Sequence, residues 1–396
     1  MKLLKGGLEN VPGYSFSAVE CGIRYRDRLD YSIIVADGLC HAAGLFTTNR
    51  IFAAPVRLCR ERIGGRIKGI LINATNANAC TGDEGYRNAV TLTRDIAEKL
   101  ETEPENILMA STGIIGRQLP LEKMMASHNK LVDGLSRKNG TMIPKAIMTT
   151  DTVPKSVSAS FKTRTREYVI AGTAKGSGMI APDMATLLAF IITDAPLSPE
   201  DLYVIFRRAV SKTLNSITID GDMSTNDTAI VLSPVSLDII EDAADLQKFE
   251  ETLELILGGL AGMLVKDAEG GTKFVRIHVK NAASDDDAKR IARAVAESLL
   301  VKTAFFGNDP NWGRIAAAAG YSGAEVSEDR LSIYYGDIPL LLKGTPAETD
   351  PEKLKSVLGG RELTVNIDVG MGEYEAVMMT SDISVDYVKI NSEYAT

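Results

Sequence analysis

A formal net charge of −8 over 396 residues argues against nucleic acid as the main partner, since neutralising phosphates needs a basic face. Apolar residues at 45% and charged residues at 24% fit a globular chain of two or three domains or one large α/β assembly. No apolar run approaches the ~18 residues of a membrane span, and the two adjacent leucines near the start are too few for a signal segment. The four cysteines, Cys21, Cys40, Cys59 and Cys80, lack Cys-x-x-Cys or metal-ligand spacing and read as reduced thiols in a cytoplasmic protein. With only His41, His128 and His278 available, each read as a surface or structural residue, neither a Ser-His-Asp triad nor a zinc hydrolase has a good candidate.

Strands and helices alternate without an internal repeat. Residues 69–73 read as a buried strand. Thr81-Gly-Asp-Glu84 has the form of a capping box, and behind it Ala89, Leu92, Ile96 and Leu100 recur at helical spacing. Residues 107–111 form a second short strand that ends in the Thr112-Gly113 turn. Leu121, Met124, Met125, His128, Leu131 and Leu135 make a helical stripe, core rather than binding face. Residues 155–166 are polar and basic and read as an exposed hairpin or linker; residues 168–171 return to strand character. Residues 186–193 are apolar on both faces, as in a strand buried between layers. Ser198-Pro199-Glu200-Asp201 starts a helix, with serine as N-cap and proline at the first helical position. A second long helix covers residues 245–264, an alternating strand 274–280, and a helix capped by Ser284 runs to about Leu300. Residues 362–369 and 374–381 flank Gly370-Met-Gly372 and read as a hairpin. The fold class is α/β (α+β), with helices layered on mixed or antiparallel sheets. No G-x-G-x-x-G or G-x-x-x-x-G-K-[ST] loop marks a dinucleotide or P-loop fold.

The stretch richest in chemistry is Lys175-Gly-Ser-Gly-Met-Ile-Ala-Pro-Asp-Met-Ala-Thr186. Gly176 and Gly178 permit backbone angles closed to other residues, and Pro182 fixes another. Such a loop can hold the Ala185–Thr186 bond in a strained geometry. Attack of the Thr186 hydroxyl on the Ala185 carbonyl would give an ester that water cleaves. Thr186 would then carry a free α-amine as a base beside its own hydroxyl. The pattern points to a self-processing acyltransferase with Thr186 as nucleophile. Lys175 is suited to hold a substrate carboxylate or to favour negative charge in the transition state. The Gly113 amide, with the Thr112 hydroxyl or amide, suits an oxyanion hole, although any tight turn looks alike locally. Asp220-Gly-Asp-Met-Ser-Thr-Asn-Asp227 lacks an EF-hand's final glutamate and reads as a turn whose side chains cap backbone groups. Gly307-Asn-Asp-Pro-Asn-Trp-Gly313 holds the only tryptophan and reads as a turn anchoring a helix start at Pro310, or as a pocket wall.

Taken in order, these motifs resemble the ornithine acetyltransferase family of arginine biosynthesis over nearly the whole chain. The series includes Phe46-Thr-Thr-Asn-Arg50, Ala54-Pro-Val56, Asn76-Ala-Asn-Ala-Cys-Thr-Gly82, Ser111-Thr-Gly113 and Thr149-Thr-Asp-Thr152. It continues with Lys175-Gly-Ser-Gly-Met, Met184-Ala-Thr186, the 220–227 segment, Glu269-Gly-Gly-Thr-Lys273, Gly307 to Arg314, and Asn391-Ser-Glu-Tyr-Ala-Thr396. Asn73-Ala-Thr-Asn76 departs from the family's usual Asn-Ser-Gly-Asn, Asp183 stands where asparagine is frequent, and the segment 25–43 is divergent.

The resemblance implies self-cleavage between Ala185 and Thr186 into an α chain, 1–185, and a β chain, 186–396. The fragments would stay together, two of each in a heterotetramer. Thr186 would take acetyl from N2-acetylornithine and pass it to glutamate by a ping-pong path. Thr112 and Gly113 would form the oxyanion hole, and Thr152, Lys175, Thr186, Glu269, Asn391 and Thr396 would contact substrate. No cofactor or metal is implied. Bifunctional members also use acetyl-CoA as donor, and no feature of the sequence decides that point. The alternative reading is an N-terminal-nucleophile amidase or aminopeptidase, in which water takes the acyl group.

Overall fold

Every third or fourth residue along the longer helices is sealed from solvent, whereas several strands are buried at nearly every position, as in a sheet covered on both faces. The computed structural model describes residues 1–181 and 187–393. The strands in chain order are β1 (Lys2–Leu4), β2 (Tyr14–Val19), β3 (Tyr31–Phe46), β4 (Ile67–Asn73), β5 (Ile107–Ser111), β6 (Lys155–Lys162), β7 (Glu167–Lys175) and β8 (Leu188–Thr193). They continue as β9 (Ile217–Thr218), β10 (Thr228–Pro234), β11 (Phe274–Ala282), β12 (Ser332–Tyr335), β13 (Ile338–Leu342), β14 (Thr345–Pro346), β15 (Glu362–Asp368) and β16 (Tyr374–Ser381). The helices are α1 (Ala54–Arg62), α2 (Gly82–Lys99), α3 (Leu121–Ala126), α4 (His128–Asp133), α5 (Ile143–Ala146) and α6 (Pro199–Lys212). After them come α7 (Ala243–Lys266), α8 (Asp285–Glu297), α9 (Leu299–Phe306), α10 (Trp312–Gly320), α11 (Pro351–Gly359) and α12 (Val385–Glu393). No helix among the described residues is long and apolar enough to cross a membrane.

Two compact units divide the chain. The first comprises Met1–Asn215 and Met223–Leu264, the second Ser216–Asp222 and the described residues from Val265 onward. The first unit holds the sheet β1-β6-β7-β8-β10-β3-β4-β5, with β2 also on β3. Its pairings are mixed: β10 is parallel to β8 and β4 to β5, and the others are antiparallel. Phe16, Ile34, Ile70, Ile72, Leu108 and Ala110 from one end of the strand order share a core with Ala171, Leu188, Phe190, Ile192, Ile230 and Leu232 from the middle. The sheet is thus wound into two facing layers. On the outer face, Ile33, Leu71, Ile107 and Met109 pack under Ala89, Leu92 and Ile96 of α2 and under α3 and α4. Behind β7, Gly172 lies against Leu260 and Ile256 of α7. Helices outside paired sheets match the expected class.

In the second unit the order is β14-β13-β12-β15-β11-β16-β9. Val275, Ile277 and Val279 of β11 are fully buried with Ile291 and Val295 of α8, Phe305 of α9 and Ile315 of α10, whereas Arg276 is exposed.

Several local expectations need correction. The 362–369 and 374–381 segments are strands but not a hairpin, because β11 lies between them, parallel to β15 and antiparallel to β16. The glycine-rich connection crosses the end of β11: Met371 and Gly372 amides both donate to the Asn281 carbonyl (2.7 and 2.9 Å), and a Cβ on Gly372 would meet the Ala282 carbonyl oxygen at 2.4 Å. Residues 155–162 are the sheet strand β6 rather than a linker, with Lys155 fully buried; the hairpin to β7 is real. The Thr81 capping box does not form, because the Thr81 hydroxyl donates to Asn78 Oδ1 (2.8 Å). The stripe 121–135 breaks at Ser127 into α3 and α4, and the Ser284 helix ends at Glu297, where Ser298 caps α9 anew. Ser198 caps α6 as expected (3.1 Å to the Asp201 amide), while α10 starts at Trp312 under Asn311 rather than at Pro310.

His128 is structural, as read. Its Nδ1 donates to Asp95 Oδ2 (2.5 Å) on α2, and Nε2 accepts from the buried Tyr31 hydroxyl (2.7 Å) on β3. Burial lowers its pKa against the opposing pull of Asp95. The neutral ring is therefore required in the fold, and its contribution is whole above the unfolded imidazole pKa and falls away below it. His128→Ala should destabilise the first unit by about 3 kcal/mol through lost volume and two orphaned polar groups. In thermal melts at pH 7.5 and 5.5, the wild type should lose more stability on acidification than the variant; equal losses would contradict the assignment.

Candidate active site

Parallel β4 and β5 end in register at Asn73 and Ser111, and the two segments leaving them stay laced together. The Thr112 amide donates to the Asn73 carbonyl (3.0 Å), Ile114 to Thr75 (3.4 Å), Ala77 to Ile114 (3.0 Å) and Gly116 to Ala79 (2.9 Å). Gly113 has φ 134°, and a Cβ there would lie 2.1 Å from the Thr75 carbonyl carbon, so glycine is required. Buried asparagines fill the remaining valences. Asn226 Nδ2 donates to both the Ala77 (2.7 Å) and Ser111 (2.8 Å) carbonyls. Asn73 accepts from the Ser111 hydroxyl (2.6 Å) and donates to the Asn76 carbonyl (2.8 Å). Asn76 Oδ1 accepts from the Asn78 amide (2.8 Å). With the Thr112 amide spent on Asn73, the donors offered by this turn are the Thr112 hydroxyl and the Gly113 amide.

Lys175 ends β7 and is 9% exposed, not the surface lysine its position would suggest by default. Its Nζ donates to Thr112 Oγ1 at 3.4 Å. In a flat sheet five strand spacings would separate β7 from β5 by roughly 24 Å; the facing layers bring the two strand ends together. Asp151 lies beside them. Its carboxylate accepts from Lys155 Nζ (2.7 Å), the Gly176 amide (2.7 Å) and the Thr149 amide (3.0 Å). Burial alone would raise its pKa, but the ammonium groups of Lys175 and Lys155 outweigh burial and bring it down to about 2. Thr152, one residue on, is exposed.

In the second unit Glu269, 9% exposed, accepts from Asn391 Nδ2 (3.0 Å) on α12. The Ser384 hydroxyl, which donates to the Gly270 carbonyl (2.6 Å), accepts from the Tyr387 amide (3.2 Å) and locks the Glu269 turn to α12. Gly270, at φ 64°, allows this approach: a Cβ would meet the Tyr387 nitrogen at 2.4 Å. Burial and the neighbouring Asp220 carboxylate raise the Tyr387 phenol, which donates to Asp220 at 3.2 Å.

Thr112, Gly113, Lys175 and Thr152 thus belong to the first unit, with Lys175 against Thr112, and Glu269 joins Asn391 in the second. Ala185, Thr186 and Thr396, with the departure Asp183, lie outside the described residues. Asp151 and Asn226 were not singled out from sequence. A carboxylate four residues before a lysine, and an asparagine inside the polar 220–227 run, were the signals. Among the described residues no group of three or more His, Cys, Asp or Glu is placed to hold a metal.

A model described as the ArgJ family matches residues 15–396. The arginine biosynthesis bifunctional protein ArgJ of Geobacter sulfurreducens is 47% identical over 395 residues, covering 98% of this chain and 100% of that protein. The protein of the same name from Caldanaerobacter subterraneus subsp. tengcongensis is 41% identical over 404 residues, covering 100% of both. A crystal structure of the Bacillus halodurans arginine biosynthesis bifunctional protein has 33% identity and a TM-score of 0.48, covering 51% of this chain and 96% of that one. These sequence matches define the class as an acyltransferase of arginine biosynthesis, in preference to an amidase or aminopeptidase. The chain belongs to the ArgJ family.

The departure at Thr75 carries a local cost. Thr75 has φ 73°, a left-handed angle costly for a β-branched residue, and its buried hydroxyl has no hydrogen-bond partner. Thr75→Gly should stabilise the first unit by about 1 kcal/mol, after allowance for glycine's unfolded-state entropy. Its Tm should rise by about 2–4 °C. An unchanged or lower Tm would show that the angle is not strained.

Proposed function

We propose that this chain cuts itself between Ala185 and Thr186 and then transfers acetyl from N2-acetylornithine to glutamate through an acetyl-Thr186 ester. The observation that carries the reading is the Lys175–Thr112 contact (3.4 Å) at the root of the loop leading to Thr186, in a chain matched by the family from residue 15 to 396. The new α-amine takes the hydroxyl proton as Thr186 Oγ attacks the acetyl carbonyl. The oxyanion receives the Thr112 hydroxyl and the Gly113 amide, each such donor worth about 3 kcal/mol in the transition state. Collapse breaks the C–N bond, the leaving amine takes the proton, and ornithine departs. The glutamate amine then attacks the ester, freeing Thr186 and giving N-acetylglutamate.

Lys175 suits the α-carboxylate common to both substrates, and Glu269, held by Asn391, suits an ammonium group. Thr152 and Thr396 complete the proposed substrate contacts. The name "bifunctional" borne by the relatives supports acetyl-CoA as a second donor to Thr186. The fragments 1–185 and 186–396 remain associated, two copies of each, in the cytoplasm.

Thr186→Ala should remain one uncut chain on a denaturing gel and form no ornithine from N2-acetylornithine and glutamate, with wild type as the positive control. A variant that is cut, or that transfers acetyl, would remove threonine 186 from both roles. Acetate release by wild type without glutamate, at the rate of transfer, would return the chain to the hydrolases.

A further inference from the structure

Asp151 takes no direct part in the acetyl transfer described above, yet its side chain is fully sealed from solvent and joins three segments. Oδ1 accepts from Lys155 Nζ, at the start of β6, and from the Gly176 amide, both at 2.7 Å. Oδ2 accepts from the Thr149 amide at 3.0 Å. Gly176 is the first residue after β7 and has φ 148°. The next residue, Ser177, is 1% exposed, with its hydroxyl 2.8 Å from Thr150 Oγ1. Residues 149–151 therefore grip the two residues at which the glycine-rich loop begins. β6 and β7 are antiparallel neighbours with Lys155 opposite Ala174, which puts Lys155 and Lys175 at adjacent strand ends, and both ammonium groups act on the Asp151 carboxylate. Asp151 is the anion shared by both ammonium groups. Without it, two buried cations would lose a shared counter-charge, and Lys175 would be held less firmly against Thr112.

We propose that Asp151 is a positioning residue for both self-cleavage and acetyl transfer: through Gly176 it fixes the root of the loop that carries Thr186, and through Lys175 it fixes the cation against Thr112. The proposal rests on the acetyl-transfer reading. Asp151 need not touch substrate. It acts by restricting where the loop starts and where the cation stands, and a displacement of about 1 Å at a reacting group can cost on the order of 100-fold in rate.

The test uses the full chain as Asp151→Asn and Asp151→Glu. It measures the rate of conversion to two fragments, then kcat and KM for N2-acetylornithine on the fully cut fraction, with thermal melts alongside. Asp151→Asn keeps the shape and removes the charge. It should cut at least about 10-fold more slowly and lose about 100-fold in kcat/KM, mostly in kcat. Asp151→Glu, which restores the anion, should recover about 10-fold or more of that loss. If Asp151→Asn does not fold, the same loss is expected from Asp151→Asn with Lys155→Met, which also removes the buried ammonium that Asp151 neutralises. Cutting and turnover within about twofold of wild type in a folded variant without the carboxylate would overturn the role. A glutamate variant no better than asparagine, with rates falling only in step with the folded fraction, would reduce Asp151 to a structural ion pair. Wild type that transfers acetyl without ever being cut would instead overturn the underlying reading and not this role alone.

Discussion

The Asn226 side-chain amide, donating to the Ala77 and Ser111 carbonyls at 2.7 and 2.8 Å, ties together the two segments that leave the ends of β4 and β5. Sheet hydrogen bonding stops at those ends, and two irregular segments buried without partners would each cost a few kcal/mol per orphaned group. Asn73, Asn76 and Asn78 complete the accounting around them. The result is a turn whose backbone lies so close to Thr75 and Asn76 that position 113 admits only glycine. An oxyanion hole acts through donors already aimed before charge develops. In the proposed oxyanion hole the aim comes from amide side chains that donate to backbone carbonyls.

Charge is managed on the same principle. The chain is acidic overall, but beside this turn it buries Lys155 completely and Lys175 nearly so. Asp151 supplies a counter-charge there, and the two cations, with the hydrogen bonds it accepts, hold its pKa down against burial. Local fields near a site follow the placed charges rather than the average of the surface. The winding of the first unit's sheet into two layers brings those charges to Thr112, since β7 and β5 are far apart in strand order.

Much of this was legible from residues alone where one local force dominates. The 3.6-residue stripe of α2, the serine cap of α6 and the doubly buried β8 follow from periodicity and cap chemistry. So does Lys175 as a cation at the root of a glycine-rich loop. What escaped was decided by distant partners. Two strands around Gly370-Met-Gly372 look like a hairpin until β11, some ninety residues earlier, takes the place between them. Thr81 looks like a capping-box residue until Asn78 claims its hydroxyl. Lys155 looks solvated until Asp151 accompanies it into the interior. Asn226 looks like a turn residue, and only the fold reveals which carbonyls it serves.

At the centre of the account is a threonine in mid-chain that acquires an amine of its own. Amino-terminal sequencing of purified wild-type protein, on the preparation whose acetyl transfer has just been measured, tests this most directly. The account expects two sequences in equal amount, one from Met1 and one from Thr186. A single sequence from Met1 in fully active material would contradict it.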